Sequence, residues 1–99
     1  MQQNKNNQSL NTRTRIKVYR TKSCPYCVKA VDLLENKGVA FEEIDITRNP
    51  YLRMEMEDRA KRRSVPQIFV GERHVGGFED MYRLERAGQL DELLGLQSH

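Results

Sequence analysis

The chain has 99 residues, of which 37% are hydrophobic, and its mean hydropathy is −0.80. No stretch approaches the roughly 20 apolar residues of a membrane-spanning helix. The first eleven residues include only Met1 and Leu10 as large apolar side chains, which argues against a secretory signal. Two cysteines are too few for a disulfide framework or an all-cysteine zinc site. These numbers predict one small, soluble, cytoplasmic domain with no membrane partner.

The formal net charge of +3 comes from the N-terminal stretch. Residues 1–15 carry three basic residues and no acidic one, whereas residues 16–99 contain equal numbers of basic and acidic side chains. The densest basic run in that neutral part is 61–63, and a nucleic-acid surface normally needs a larger concentrated patch. We therefore expect no nucleic-acid partner.

The first fifteen residues are rich in Gln and Asn and have no pattern that could bury apolar surface. An organelle transit peptide would also lack acidic residues, but this stretch has no amphipathic face. We interpret residues 1–15 as a flexible leader and residues 16–99 as one folded domain.

From residue 16 onward the sequence predicts a strand–helix–strand unit. Residues 16–20 alternate in the manner of a β-strand, and residues 39–46 are predicted to form a second strand. The helix between them is predicted from apolar residues at the spacing of one helix face: Cys27, Ala30, Val31 and Leu34. Gly38 is suited to end this helix. The order and length favour a right-handed parallel βαβ unit.

The second half of the domain is predicted to contain a helix, a β-hairpin and two further helical segments. Asn49-Pro50 is a typical helix start, with Asn as the N-cap and Pro at the first helical position. Its buried stripe is predicted at Leu52, Met56 and Ala60. Residues 67–70 and 74–76 are predicted strands joined by a tight turn, and Gly76-Gly77 precedes the third helix. The order βαβαββα(α) predicts an α/β domain with a small mixed sheet and helices on both faces.

The residues with redox chemistry lie where the first strand gives way to the first helix, in the sequence CPYC. With Pro25 at the first helical position, Cys24 becomes the N-cap, close to free N–H groups and the positive end of the helix dipole. That environment and the nearby Lys22 favour the thiolate over the thiol. Cys27 falls on the apolar face within reach of Cys24, so the spacing predicts Cys24 as the attacking thiol and Cys27 as the resolving thiol.

The alternatives for this pair are half of a zinc site or two inert cysteines. His74 and His99 could complete a site with two cysteines and two histidines, but His99 is the last residue and His74 is predicted to lie in the distant hairpin. Because the pair lies in a βαβ context, we favour the redox interpretation and expect no metal.

Two further segments are placed to bind a ligand. Pro66 enters an apolar strand, where the sequence by itself favours a trans bond, although a cis bond after Val65 would present backbone groups. The segment GGFED places two glycines before a helix start, whose N–H groups can bind a carboxylate, and Asp80 could accept from an ammonium group. A ligand with a carboxylate and an amine at one end would suit this corner; the alternative is a plain hairpin exit.

Residues 16–96 resemble a bacterial-type dithiol glutaredoxin. The matching segments are CPYC, SVPQIFV, GGFED and the ending RAGQLDELL, and their order and spacing make the resemblance specific. The resemblance implies a thioredoxin-like fold with strand order 2-1-3-4 and a cis bond between Val65 and Pro66. It also implies glutathione as co-substrate, with glutathionylated or disulfide-bonded proteins as partners and a monomeric enzyme.

The resemblance assigns roles to individual residues. Cys24 would accept glutathione from a mixed disulfide, and Cys27 would resolve a disulfide with a protein. Its implied glutathione contacts are Tyr26, Ser64, Val65, Pro66, Gly77, Phe78 and Asp80. Family members often have a lysine three residues before the first cysteine, where this chain has Thr21. The cation for the glycyl carboxylate is therefore Lys22 in our assignment, with Arg20 and the Arg62-Arg63 pair as alternatives.

Two other functions compete with this interpretation. A thioredoxin-type reductase recharged by a flavoenzyme is disfavoured because the chain has no Trp and its motif lacks the Gly-Pro pair. A glutathione-ligated iron–sulfur carrier, bridged across a dimer, is disfavoured because Pro25 stiffens the loop and Cys27 can displace a cluster ligand.

Overall fold

The computed structural model describes residues 16–96 of the chain; the predicted leader over residues 1–15 and His99 lie outside the described residues. Its elements follow the order β1 (Ile16–Arg20), α1 (Pro25–Lys37), β2 (Phe41–Asp45), α2 (Pro50–Ala60), β3 (Gln67–Val70), β4 (Arg73–Gly76), α3 (Phe78–Arg86) and α4 (Leu90–Leu93). Among these helices none is both long and apolar enough to cross a membrane.

The four strands form one mixed sheet in the order β2-β1-β3-β4. β1 runs parallel to β2 and antiparallel to β3, and β3 runs antiparallel to β4. The parallel pair is joined through α1, which is the predicted βαβ unit. The strand order 2-1-3-4 and the thioredoxin-like architecture are therefore confirmed.

Helices cover both faces of the sheet, and each face has its own apolar cluster. The cluster beneath α1, α3 and α4 consists of Ile16, Val18, Ala30, Leu34, Ile68, Met81, Leu90 and Leu94. The cluster beneath α2 consists of Tyr19, Ile46, Met56, Ala60 and Phe69. Since the neighbours Val18 and Tyr19 belong to different clusters, β1 is buried on both faces, as expected for a strand inside a sheet that is covered on both sides.

The ends of the helices follow the predicted signals closely. The side chain of Asn49 caps α2 by accepting from the N–H of Leu52 at 3.0 Å, and Gly38 ends α1 with a left-handed φ of 74°. Lys61 caps the C-terminus of α2 and adopts a left-handed φ of 57° although it has a side chain. β2 is shorter than the predicted 39–46, because Ile46 leaves the strand to pack in the α2 cluster while its N–H still reaches Arg20.

Candidate active site

Cys24 is the N-cap of α1, as its position before Pro25 predicted. Its sulfur accepts a hydrogen bond from the backbone N–H of Cys27 at 3.2 Å, so it occupies the place usually taken by a capping oxygen. The local sequence allows this because Pro25, at the first helical position, has no N–H to satisfy. The residue is half-buried, which leaves its sulfur within reach of a substrate.

Cys27 is fully buried on the apolar face of α1, with 0% of its surface exposed. Burial, and then the neighbouring Cys24 sulfur, raise the pKa of the Cys27 thiol to about 12. The Thr21 backbone and the positive charge of Arg20 act in the opposite direction. The two cysteines are therefore unequal: one is accessible and hydrogen-bonded to backbone, and the other is a buried, protonated thiol.

The segment before β3 lies against the accessible sulfur. The bond between Val65 and Pro66 is cis, as the resemblance implied and contrary to the trans bond that the sequence by itself favoured. The Val65 carbonyl accepts a hydrogen bond from the Cys24 thiol at 3.6 Å. This contact joins parts of the chain that are 41 residues apart in sequence.

A groove with a volume of about 260 Å³ opens beside this contact, and we name it the cis-proline groove. Its lining is Tyr26, Ser64, Val65, Pro66, Gly77, Phe78, Glu79 and Asp80. The fold thus brings together seven of the eight residues predicted to contact glutathione. Glu79 was not among the predicted residues, although it lies within the GGFED segment.

Asp80 lies in the first turn of α3 and lines the groove. Its carboxylate accepts from the Gly77 N–H at 2.9 Å, from Arg62 at 2.8 Å and from Arg83 at 3.4 Å. Arg62, followed by the Gly77 N–H, holds the pKa of the Asp80 carboxyl below its ordinary value. The corner therefore combines a fixed negative charge with the N-terminal end of a helix.

The sequence profile of the glutaredoxin family matches residues 16–75, which include both cysteines and the cis proline. The chain belongs to the glutaredoxin family. It is therefore a thiol–disulfide oxidoreductase with a CxxC pair, which in this chain is Cys24 and Cys27.

Curated relatives support this membership over nearly their full length. A glutaredoxin of Pseudomonas aeruginosa is 52% identical over 77 residues, which cover 78% of this chain and 92% of that protein. Glutaredoxin 3 of Escherichia coli K12 is 46% identical over 79 residues, which cover 80% and 95%. Among solved structures, a buckwheat glutaredoxin–glutathione complex superposes with a TM-score of 0.76 at 22% identity, covering 83% of this chain and 77% of that one, and shows the shared fold.

Lys22 is the predicted contact that the fold does not bring into the cis-proline groove. Its backbone N–H donates to the Thr47 hydroxyl at 3.0 Å, and it lines a separate depression with Asp45, Thr47, Arg48 and Asn49. The other candidate cations are engaged, since Arg20 pairs with Glu43 at 3.0 Å, Arg62 with Asp80 at 2.8 Å and Arg63 with Glu57 at 3.7 Å.

Of the two histidines in the alternative zinc site, His74 lies on β4, where its ring nitrogen is 2.6 Å from the Gln67 side-chain oxygen. Within residues 16–96 there is no cluster of three or more His, Cys, Asp or Glu side chains able to hold a metal ion. His99 lies outside the described residues.

One functional feature that was not predicted from the sequence is the polar support of Ser64, which lines the groove. Gln67 is fully buried, and its amide nitrogen donates to the backbone oxygen of Ser64 at 3.0 Å and to the Ser64 hydroxyl at 3.3 Å. Its amide oxygen accepts from the ring of His74. A glutamine at the start of the apolar strand QIFV was the available signal, because a buried amide needs partners on both of its ends.

Proposed function

We propose that this glutaredoxin-family enzyme uses glutathione to reduce mixed disulfides between glutathione and proteins, and disulfides within proteins. The observation that carries the proposal is the accessible Cys24 sulfur at the N-terminus of α1, which lies beside the Val65 carbonyl and the cis-proline groove. The backbone N–H from which this sulfur accepts belongs to the first turn of α1, where the positive end of the helix dipole favours negative charge.

In the proposed complex, glutathione lies along the cis-proline groove with its sulfur at Cys24. The backbone of Val65 pairs with the cysteinyl unit in the manner of a β-strand, while Ser64 and Pro66 line the groove beside it. Tyr26 flanks the peptide. The support for this arrangement is the continuous lining of the groove, together with the buckwheat relative that was solved as a complex with glutathione.

The γ-glutamyl end is proposed to bind at the start of α3. Its carboxylate meets the N-terminal backbone at Gly77 and Phe78, and its ammonium group binds Asp80. Because Arg62 already contacts the Asp80 carboxylate, the ammonium must share that carboxylate with a cation or displace it. Lys22, which lies outside the cis-proline groove and is attracted to the Asp45 carboxylate, remains our proposed cation for the glycyl carboxylate.

The monothiol reaction needs Cys24 alone. Its thiolate attacks the glutathione sulfur of a mixed disulfide, the old S–S bond breaks, and the released protein thiolate takes a proton from water. Glutathione is now bonded to Cys24. A second glutathione thiolate attacks that glutathione's sulfur, forming oxidised glutathione and restoring the Cys24 thiolate. In the net exchange one free glutathione thiol is consumed, the protein sulfur is released as a thiol, and the disulfide bond passes to oxidised glutathione.

The dithiol reaction adds Cys27. Cys24 first forms a mixed disulfide with one sulfur of the protein substrate, and the second substrate sulfur leaves as a thiolate that takes up a proton. The Cys27 thiol then gives up its proton and attacks the Cys24 sulfur, so the Cys24–Cys27 disulfide forms and the substrate sulfur leaves as a thiolate that takes up a proton. Two glutathione molecules then reduce the Cys24–Cys27 disulfide and leave as oxidised glutathione, so that two electrons pass from two glutathione molecules to one protein disulfide. The raised pKa of Cys27 keeps it protonated, and hence unreactive, until that step.

The decisive experiment measures glutathione-coupled reduction of a small mixed disulfide by the wild type and two variants. We expect Cys24→Ser to lower the turnover at least about a thousandfold, since the nucleophile is lost. The serine hydroxyl can still cap α1, so folding should be preserved. Cys27→Ser should keep this reaction and lose the reduction of protein disulfides. An active Cys24→Ser, or an inactive wild type, would refute the proposal.

A second experiment tests the γ-glutamyl corner. Asp80→Asn removes the charge that receives the ammonium group and leaves Arg62 without its partner, so the KM for glutathione should rise about tenfold, the equivalent of one charge-assisted hydrogen bond. The matched control is Asp58→Asn, an equal change on an exposed carboxylate of α2. Similar KM values for the two variants would place the γ-glutamyl group elsewhere.

The cellular setting follows from the proposed chemistry. An enzyme that draws electrons from reduced glutathione belongs in a reducing compartment, so we propose the cytoplasm, acting as a monomer on disulfide-bonded and glutathionylated proteins and not on nucleic acid. The bacterial relatives are consistent with this setting.

A further inference from the structure

A second groove, with a volume of about 680 Å³, runs between α1 and α3, and we name it the α1–α3 groove. It shares Tyr26, Phe78 and Glu79 with the cis-proline groove. The two grooves therefore form one continuous surface that begins beside Cys24. The proposed glutathione contacts occupy the smaller groove, and the larger one has no role in the reaction described above.

Three aromatic rings follow one another along this surface. Tyr26 and Phe78 have ring centres 6.2 Å apart, and Phe78 stacks on Tyr82 at 5.6 Å. Tyr26 is 49% exposed and Tyr82 is 45% exposed. Rings of this kind combine a large apolar area with little conformational freedom to lose, and they are enriched where proteins bind one another.

Positive charge surrounds these rings. Lys29, Arg83 and Arg86 line the groove, against a single lining carboxylate, that of Glu79. The Lys29 ammonium lies 5.0 Å from the centre of the Tyr26 ring. Arg83 already contacts the Asp80 carboxylate at 3.4 Å, so Lys29 and Arg86 are the lining cations that form no ion pair with a carboxylate of residues 16–96. In a domain whose basic and acidic residues balance, this concentration of charge favours an acidic partner.

We propose that the α1–α3 groove docks the polypeptide around the target disulfide of a protein substrate, and that it selects an acidic segment carrying an apolar side chain. This inference rests on the proposed function, because the disulfide must reach Cys24. The apolar side chain packs on Phe78 and Tyr82, and the acidic side chains face Arg86 and Lys29. The volume of the groove exceeds that of the cis-proline groove more than twofold, which suits several residues of peptide.

The test uses three peptides of equal length, each joined to glutathione through one cysteine, with acidic, neutral or basic flanking residues. The wild type should prefer the acidic peptide over the basic one by about tenfold in kcat/KM, and the preference should shrink as salt is added. Arg86→Glu should lower kcat/KM for the acidic peptide about three- to tenfold and raise it for the basic one. The Arg86→Glu substitution should leave kcat/KM for a small uncharged mixed disulfide unchanged.

The matched control is Arg73→Glu, an equal charge reversal at an exposed position of β4. Arg73 pairs with Val70, which pairs with Ile16, so it lies at the opposite end of the sheet from Cys24. Its effect on all three peptides should stay within about twofold. A second variant, Tyr82→Ser, should raise KM for an acidic peptide that has one apolar residue beside its cysteine, and not for the same peptide with serine at that position, with kcat unchanged.

The outcomes separate the two proposals. If the wild type fails on the small mixed disulfide, the proposed function is refuted. If the small substrate is reduced normally but the peptide preference is absent, or persists in Arg86→Glu, the docking surface is refuted. A concentration-dependent dimer that Tyr82→Ser disrupts would also overturn it, because a second copy of the chain would then cover the groove.

Discussion

Two helices of this domain begin beside the same groove, and different chemical groups close their first turns. At the start of α1, the cap is the Cys24 sulfur, which accepts from the Cys27 N–H. At the start of α3, the capping position is Gly77, which has no side chain, and the Asp80 carboxylate reaches back to accept from its N–H.

The difference separates a reactive cap from a permanent one. At α1 the group that caps the helix is also the group that reacts, so the backbone N–H that completes the helix stabilises the sulfur between steps. At α3 the negative charge is one turn inside the helix and takes no part in bond making. That leaves the glycine backbone open for a ligand, since a capping side chain would fill the space in front of it.

The α1 start gives the largest expected effect, which is the difference in reactivity between its two thiols. In the reduced wild type at pH 7, iodoacetamide should modify Cys24 and leave Cys27 intact. In Cys24→Ser, burial still raises the pKa of Cys27, so its alkylation should be at least about a hundredfold slower than that of a free cysteine and should keep rising above pH 9. Mass spectrometry measures both rates, and fast labelling of Cys27 at pH 7 would contradict the asymmetry.

The α3 start is tested next by its two adjacent glycines. Gly76 has φ of 118°, and an added Cβ would overlap the Asp80 carboxylate, so Gly76→Ala should destabilise the fold by roughly 2–3 kcal/mol. Gly77 has φ of −88°, and its added Cβ would lie 3.5 Å from the Pro66 oxygen, an ordinary contact. The unfolding free energy of Gly77→Ala should therefore stay within about 0.5 kcal/mol of the wild-type value, while its KM for glutathione should rise.

Chemical denaturation distinguishes the two variants, and the wild type provides the reference. Equal losses of unfolding free energy in the two variants would mean that the positive φ of Gly76 and its close approach to Asp80 do not make an added side chain unfavourable there. A Gly77→Ala variant with unchanged stability and unchanged KM would mean that the ligand does not approach this backbone.

The sequence predicted the start of α1 far better than the start of α3. The start of α1 can be predicted from the CPYC segment alone, because Pro25 and the spacing of the cysteines determine which cysteine caps the helix and which is buried. At α3 the outcome depends on Arg62, which is eighteen residues away in sequence and contacts Asp80 only in the folded chain. Local patterns cannot predict such a contact, because it depends on the path of the chain between α2 and β3.

The same distinction holds for the fold. Helix starts at Pro25 and Asn49-Pro50 were predicted, because caps and prolines act within a single turn. The burial of Tyr19 was not, because it depends on α2 covering the second face of the sheet. The hydrogen bonds from Gln67 to Ser64 likewise form only when the turn before β3 is closed.

The smallest expected effect is the pH dependence of stability at the α3 start. Because the folded-state pKa of Asp80 lies below its unfolded value near 3.9, its contribution is present above that pH and is lost as the pH falls through the folded-state pKa. Between pH 6 and pH 2.5, Asp80→Asn should therefore lose about 0.5–1 kcal/mol less unfolding free energy than the wild type. Arg62→Gln should fall between the two, because the Gly77 N–H still favours the ionised carboxylate. Parallel urea-denaturation profiles for all three proteins would mean that the carboxylate contributes nothing to the closure of α3. Of the two helix starts, only that of α1 would then be stabilised by its capping group, the sulfur of Cys24.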